Sequence, residues 1–138
     1  MIDERTPLGA RAAAHLRDDI VVWMTTVTPA GGPLPMPVWF LWDGDATVRM
    51  FSQEGTRVRN LEANPRVSLN FDGNGRGGDI VVLSGRAHVE RDAPGADEVE
   101  RYLEKYGDDI ARIGHTPASF AAKYSVPVRI ELTKLRGH

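Results

Sequence analysis

Hydrophobic and polar positions alternate along this chain in short, strand-length runs separated by turn clusters, with a few helical stretches between them. Thr6-Pro7 reads as an N-cap and first helical position, and a helix to about Arg17 places Leu8, Ala12 and Leu16 on one face. The β-branched and aromatic run 19–27 predicts a strand. Thr28-Pro29-Ala30-Gly31-Gly32-Pro33 predicts a turn, and Leu34 to Trp42 a second strand. Pro35 and Pro37 lack amide donors, which places that second strand at an edge or open seam. Asp43-Gly44-Asp45 is a tight connection to a strand over 46–51. A short helix over 56–63 with Val58 and Leu61 as its apolar residues precedes a strand over 66–71.

A long strand over 79–91 follows. Val81, Leu83, Gly85, Ala87 and Val89 alternate onto a core-facing side, and Gly85 marks a bulge. A helix is expected over 94–106, with Val99, Leu103 and Tyr106 on one face. Thr116-Pro117 starts another that ends near Tyr124, and the last strand spans 126–135. Six strands with few long helices predict a mainly β (α+β) domain. We expect a six-stranded antiparallel split barrel with short flanking helices, in one domain over residues 1–138.

Composition narrows the chemistry. A net charge of −2 offers no basic field for nucleic acid, although Trp23, Trp39 and Trp42 would be the stacking residues of a single-strand binder. With no cysteine there is no disulfide, thiol nucleophile or cysteine-bound zinc. The charged N-terminus and the lack of an apolar run near 20 residues leave a cytoplasmic location, away from the membrane, as the expectation. Gly73, Gly75 and Gly78 match Gly-x-Gly-x-x-Gly, but strand formers follow, so the segment reads as a hairpin loop rather than a nucleotide fingerprint. Asp72-Gly73-Asn74 fails as a calcium loop because Leu83 stands where a bidentate Glu is required. His15, His88, His115 and His138 lack metal-ligand spacing, and no serine lies in a nucleophile elbow.

The candidate chemistry centres on Ser52-Gln53-Glu54-Gly55-Thr56-Arg57-Val58-Arg59-Asn60-Leu61, between strands. Hydroxyls and guanidinium groups at a strand end and helix start can hold a phosphate. Arg57 and Arg59, two apart on a helix, point about 200° from each other, so both reach one phosphate only near a frayed end. Together with Pro37-Val38-Trp39-Phe40, Asn64-Pro65-Arg66-Val67-Ser68-Leu69 and, more weakly, Leu83-Ser84-Gly85-Arg86-Ala87, this stretch resembles the split-barrel flavin and deazaflavin reductases. That superfamily includes pyridoxamine phosphate oxidase, and the likeness is greatest to its small actinobacterial branch that uses the deazaflavin coenzyme F420.

The resemblance implies a homodimer with the cofactor in a groove between subunits. Arg57, where the family commonly has Lys, and Arg59 would hold the cofactor phosphate. Ser52, Gln53 and Thr56 would hold its hydroxylated chain, and Val38, Trp39 and Phe40 would support the ring. Val58 and Asn60 complete the motif. It implies hydride transfer from reduced F420 to a small conjugated organic substrate, with FMN as the alternative cofactor. F420 is favoured because the end, Glu131 to His138, lacks the basic and aromatic signature of pyridoxamine phosphate oxidases. A non-catalytic flavin or haem binder is the rival reading, with His15, His88 or His115 as axial ligand.

Overall fold

A computed structural model describes residues 1–138. Its elements are α1 (Pro7–Asp18), β1 (Val22–Val27), β2 (Pro33–Val38), β3 (Leu41–Trp42), β4 (Thr47–Ser52), α2 (Thr56–Ala63), β5 (Arg66–Asn70), β6 (Val81–Val89), α3 (Glu100–Arg112), α4 (Pro117–Lys123) and β7 (Val126–Gly137). A 3₁₀ turn at Ala96–Glu98 precedes α3. No helix is long and apolar enough to cross a membrane.

All strands pair antiparallel in one sheet of order β2-β1-β5-β6-β7-β4-β3. β2 and β3 are consecutive in the chain yet occupy opposite edges, with only Trp39 and Phe40 between them. Two residues bridge the edges only if the sheet curls so that they approach each other, which makes the fold a mainly β split barrel. The proline-bearing strand is an edge strand, as its missing donors require.

The strand expected over 34–42 is therefore two strands, and the sheet has seven rather than six. The reason lies in tertiary hydrogen bonding. The Phe40 N–H donates to the Tyr106 hydroxyl at 2.8 Å, and Lys105 Nζ donates to the Phe40 carbonyl at 3.1 Å. Neither backbone group joins a ladder, so the chain leaves one edge and reaches the other. The helix expected over 94–106 also shifts. Val99 is extended, α3 runs on through Gly107 to Arg112, and Gly114, at φ +86°, follows its C-terminus. The other elements match their predicted positions to within a few residues at the ends.

The barrel interior packs Leu16 of α1, Met24, Phe40, Met50, Leu69, Leu83 and Ile130 together with Val58 and Leu61 of α2. On β6, Val81, Leu83, Gly85 and Ala87 face inward, and the β6–β7 register shifts between Ser84 and Gly85. A Cβ on Gly85 would lie 2.8 Å from Ile130 Cγ2 and 2.9 Å from the Glu131 carbonyl oxygen, so this bulge depends on glycine. A second, smaller core lies outside the sheet, where Phe51 meets Ala96, Tyr102, Tyr106, Ile110 and Phe120. The outward turn of Phe51 at the end of β4 anchors α3 and α4 beside the functional loop.

Candidate functional site

The end of β2, the end of β4 and the start of α2 converge under α3 and α4 to form a cleft of about 540 Å³. Such a volume accommodates a cofactor-sized ring system. Pro37, Val38 and Trp39 form one side. Phe51, Ser52, Gln53, Glu54, Gly55, Thr56 and Arg57 form the floor and rim. Tyr102, Ile113, Phe120 and Tyr124 form the opposite side. The aromatic wall is ordered: Trp39 stacks on Tyr106 at 4.8 Å and on Phe120 at 5.6 Å, and Phe120 stacks on Tyr124 at 4.5 Å.

The polar end is built around α2. Gly55 at its N-cap supplies no side-chain acceptor, and the first intrahelical bond runs from Arg59 N–H to the Gly55 carbonyl. The N–H groups of the first turn are therefore directed outward without a protein cap. Arg57 is half-buried in the same place, and its guanidinium forms neither a hydrogen bond nor an ion pair within the chain. Burial pushes its pKa down, partly offset by Tyr124 nearby. An unpaired, partly desolvated cation beside an uncapped helix start is an anion-binding arrangement. Ser52 is buried and its Oγ donates to the Gln53 carbonyl at 3.1 Å.

The nearby carboxylates do not neutralise Arg57, because another arginine holds them. Arg91 donates through Nε to Glu54 Oε1 at 2.9 Å and through Nη2 to Glu54 Oε2 at 3.1 Å, and it reaches Glu62 Oε2 at 3.2 Å. The Arg91 hydrogen bonds hold the Glu54 carboxyl below its usual range. Glu54 at the rim is thus a paired anion that leaves Arg57 available.

Of the residues singled out in the sequence, Val38, Trp39, Ser52, Gln53, Thr56 and Arg57 meet in this cleft. The others do not line it. The side chains of Phe40 and Val58 are fully buried in the barrel core. Arg59 is exposed and donates to Thr56 Oγ1 at 3.1 Å, on the divergent side that helical geometry assigns it. Asn60 is buried with its Nδ2 unpartnered. The sequence reading missed Tyr102, Phe120 and Tyr124. Their signal was aromatic spacing at i, i+4, in Tyr102/Tyr106 and Phe120/Tyr124, between the last two strands.

Comparison with solved structures places the fold. A candidate pyridoxamine 5′-phosphate oxidase from Listeria innocua is 21% identical, with 92% of this chain and 94% of that chain covered and a TM-score of 0.66. An F420 reductase is also 21% identical, with coverage of 89% and 94% and a TM-score of 0.65. The haem storage protein HutZ of Vibrio cholerae is 17% identical, with coverage of 96% and 95% and a TM-score of 0.61. At these identities the likeness concerns fold alone. No curated protein matches the chain. The profile of the pyridoxamine 5′-phosphate oxidase family matches residues 8–136, and the chain, with its curled antiparallel sheet and cleft at the start of α2, belongs to that family.

Proposed function

We propose that this protein is an oxidoreductase that binds a flavin or deazaflavin in the cleft, with coenzyme F420 ahead of FMN. The observation that carries the reading is Arg57, a partly desolvated cation with no partner in the chain, set beside the uncapped N-terminus of α2. Arg57 and the free amides of α2 would bind the cofactor phosphate. Ser52, Gln53 and Thr56 would hold the hydroxylated chain, and the Val38–Trp39 backbone with the aromatic wall would orient the ring and exclude water. A bound cofactor of this kind supplies hydride exchange with a small conjugated organic substrate.

Membership of the family supports flavin-type binding, and an F420 reductase among the similar folds supports the deazaflavin preference. The haem reading has less support at this site, because His15, His88 and His115 all lie outside the cleft lining. The experiment is a titration of the protein with F420 and, separately, FMN, followed by cofactor absorbance and fluorescence. Saturable micromolar or tighter binding of F420 is expected. Binding of FMN alone would reverse the cofactor preference, and binding of neither would remove the oxidoreductase reading.

The functional unit we propose is a homodimer. Leu34 and Met36 are large apolar side chains exposed on the edge strand β2, which runs directly into the cleft through Pro37 and Val38. A second copy on this edge would cover both the edge strand and the open side of the cleft.

A further inference from the structure

Arg91 lies just beyond the end of β6, and its guanidinium holds both flanks of α2. Nε and Nη2 donate to the two carboxylate oxygens of Glu54 at 2.9 and 3.1 Å. Nη1 and Nη2 donate to Glu62 Oε2 and Oε1 at 3.2 and 3.3 Å. Glu54 immediately precedes the Gly55 N-cap, and Glu62 lies in the last turn of the helix. One cation thus meets two carboxylates, and its planar fork fixes where each of them points.

These pairs add little to stability, because the side chains of Glu54 and Arg91 are 58% and 47% exposed. Their consequence is the place of the charge. Glu54 lines the same cleft as Arg57 and sits one residue before the uncapped start of α2. A carboxylate in that position is drawn both to free first-turn amides and to an unpartnered guanidinium. Its hydrogen bonds to Arg91, with a weaker pull from Arg59, hold the Glu54 carboxyl below its usual range, so it carries its charge throughout the physiological range. Arg59 is the poorer alternative partner, since it is exposed and already donates to Thr56 Oγ1 at 3.1 Å. Released from Arg91, Glu54 would compete with an incoming phosphate for Arg57 and the α2 amides.

We propose that Arg91 is a positioning residue for the anion site: by holding Glu54 away from Arg57 and the first turn of α2, it keeps the protein's own carboxylate out of the place of the ligand phosphate. The inference rests on the phosphate-anchor reading of Arg57 given above and adds the residue that keeps that anchor open.

The test uses the full chain with inorganic phosphate as the probe, and so needs no cofactor. Phenylglyoxal modifies arginine side chains, and peptide mass mapping reads the rate at Arg57 alone. Phosphate should protect Arg57 in the wild type. In Arg91→Gln the half-protecting concentration should rise about three- to ten-fold, the scale of one charge at a helix start, and Arg57 should react more slowly before phosphate is added. Arg91→Gln/Glu54→Gln should return both values to those of the wild type, whereas Arg91→Gln/Glu62→Gln should not. Arg91→Lys, which keeps the charge without the fork, should fall between. All three positions are exposed, so the variants should fold. No protection in the wild type, an unchanged half-protecting concentration in Arg91→Gln, or equal recovery in the two double variants would each overturn the proposal. Titrating F420 and FMN into the wild type separates the two readings: failure of both removes the cofactor reading, while the phosphate series still decides the role of Arg91.

Discussion

The hydroxyl of Tyr106 accepts the backbone N–H of Phe40 at 2.8 Å, across 66 residues of sequence. That bond satisfies the chain where it leaves β2 and crosses to β3, and the same ring stacks under Trp39 in the cleft wall. Tyr106→Phe would leave the Phe40 amide buried and unpaired. A loss of about 1–3 kcal/mol is expected, measured by urea denaturation of wild type and variant. An unchanged midpoint would show that the crossing is held by other contacts.

Arg57→Ala should weaken cofactor binding by about 1.5–3 kcal/mol, the range for a lost hydrogen bond to a charged group. Because Arg57 makes no bond within the chain, the melting temperature should stay close to that of the wild type. The titration proposed for the wild type, repeated on the variant, reads this directly. An unchanged dissociation constant would place the phosphate anchor elsewhere.

Dimerisation through the β2 edge should give twice the chain mass in light scattering at micromolar concentration. Met36→Glu and Leu34→Glu, both at exposed positions, should shift that mass toward the monomer without unfolding the chain. A wild type that runs as a monomer with cofactor bound would contradict the dimer.

His15 lies between two carboxylates, with Nδ1 2.7 Å from Asp19 Oδ2 and Nε2 2.9 Å from Asp79 Oδ2. Arg11 also binds Asp79, whose backbone sits at φ +52°, and together these residues tie α1 to the start of β6. Burial alone would lower the imidazole pKa, but the bonds to Asp19 and Asp79 outweigh it and the net shift is upward from 6.5. Asp79 shifts downward from 3.8, chiefly through its bond to His15. The His15 contribution is therefore complete below pH 6.5 and fades as pH rises through the elevated folded value. The Asp79 contribution is complete above 3.8 and fades as pH falls through the depressed one. Melting temperature should gain most from this cluster between about pH 4 and 6.5. His15→Ala should flatten the profile there, and a variant with the wild-type pH profile would remove the cluster from the account.

Gly85→Ala should destabilise the barrel by about 1–3 kcal/mol, because the added methyl meets Ile130 and the Glu131 carbonyl in a packed core. Chemical denaturation of the variant measures the loss, and a neutral result would mean that the bulge relaxes freely.

Much of this architecture was legible in the amino-acid order because its causes are local. Prolines without amide donors marked β2 as an edge, the alternation from Val81 to Ala87 assigned the inner face of β6, and Thr116-Pro117 marked the start of α4. The segment after Ser52 was recognisable as a candidate anion site for the same reason: hydroxyls, a glycine and Arg57 sit within a few residues at one helix start. Tertiary structure alone decided the rest. How far the sheet curls determines that Trp39 and Phe40 bridge two edges and that the strand count is seven. The same curl brings Tyr102, Phe120 and Tyr124 over the β4 end, pairs Glu54 with Arg91 across 37 residues, and leaves Arg57 free. Periodicity reports which side of an element is apolar. It carries no information on which distant side chain that element will meet, and in this protein those meetings determine which arginine stays unpaired and which tyrosine reaches the cleft.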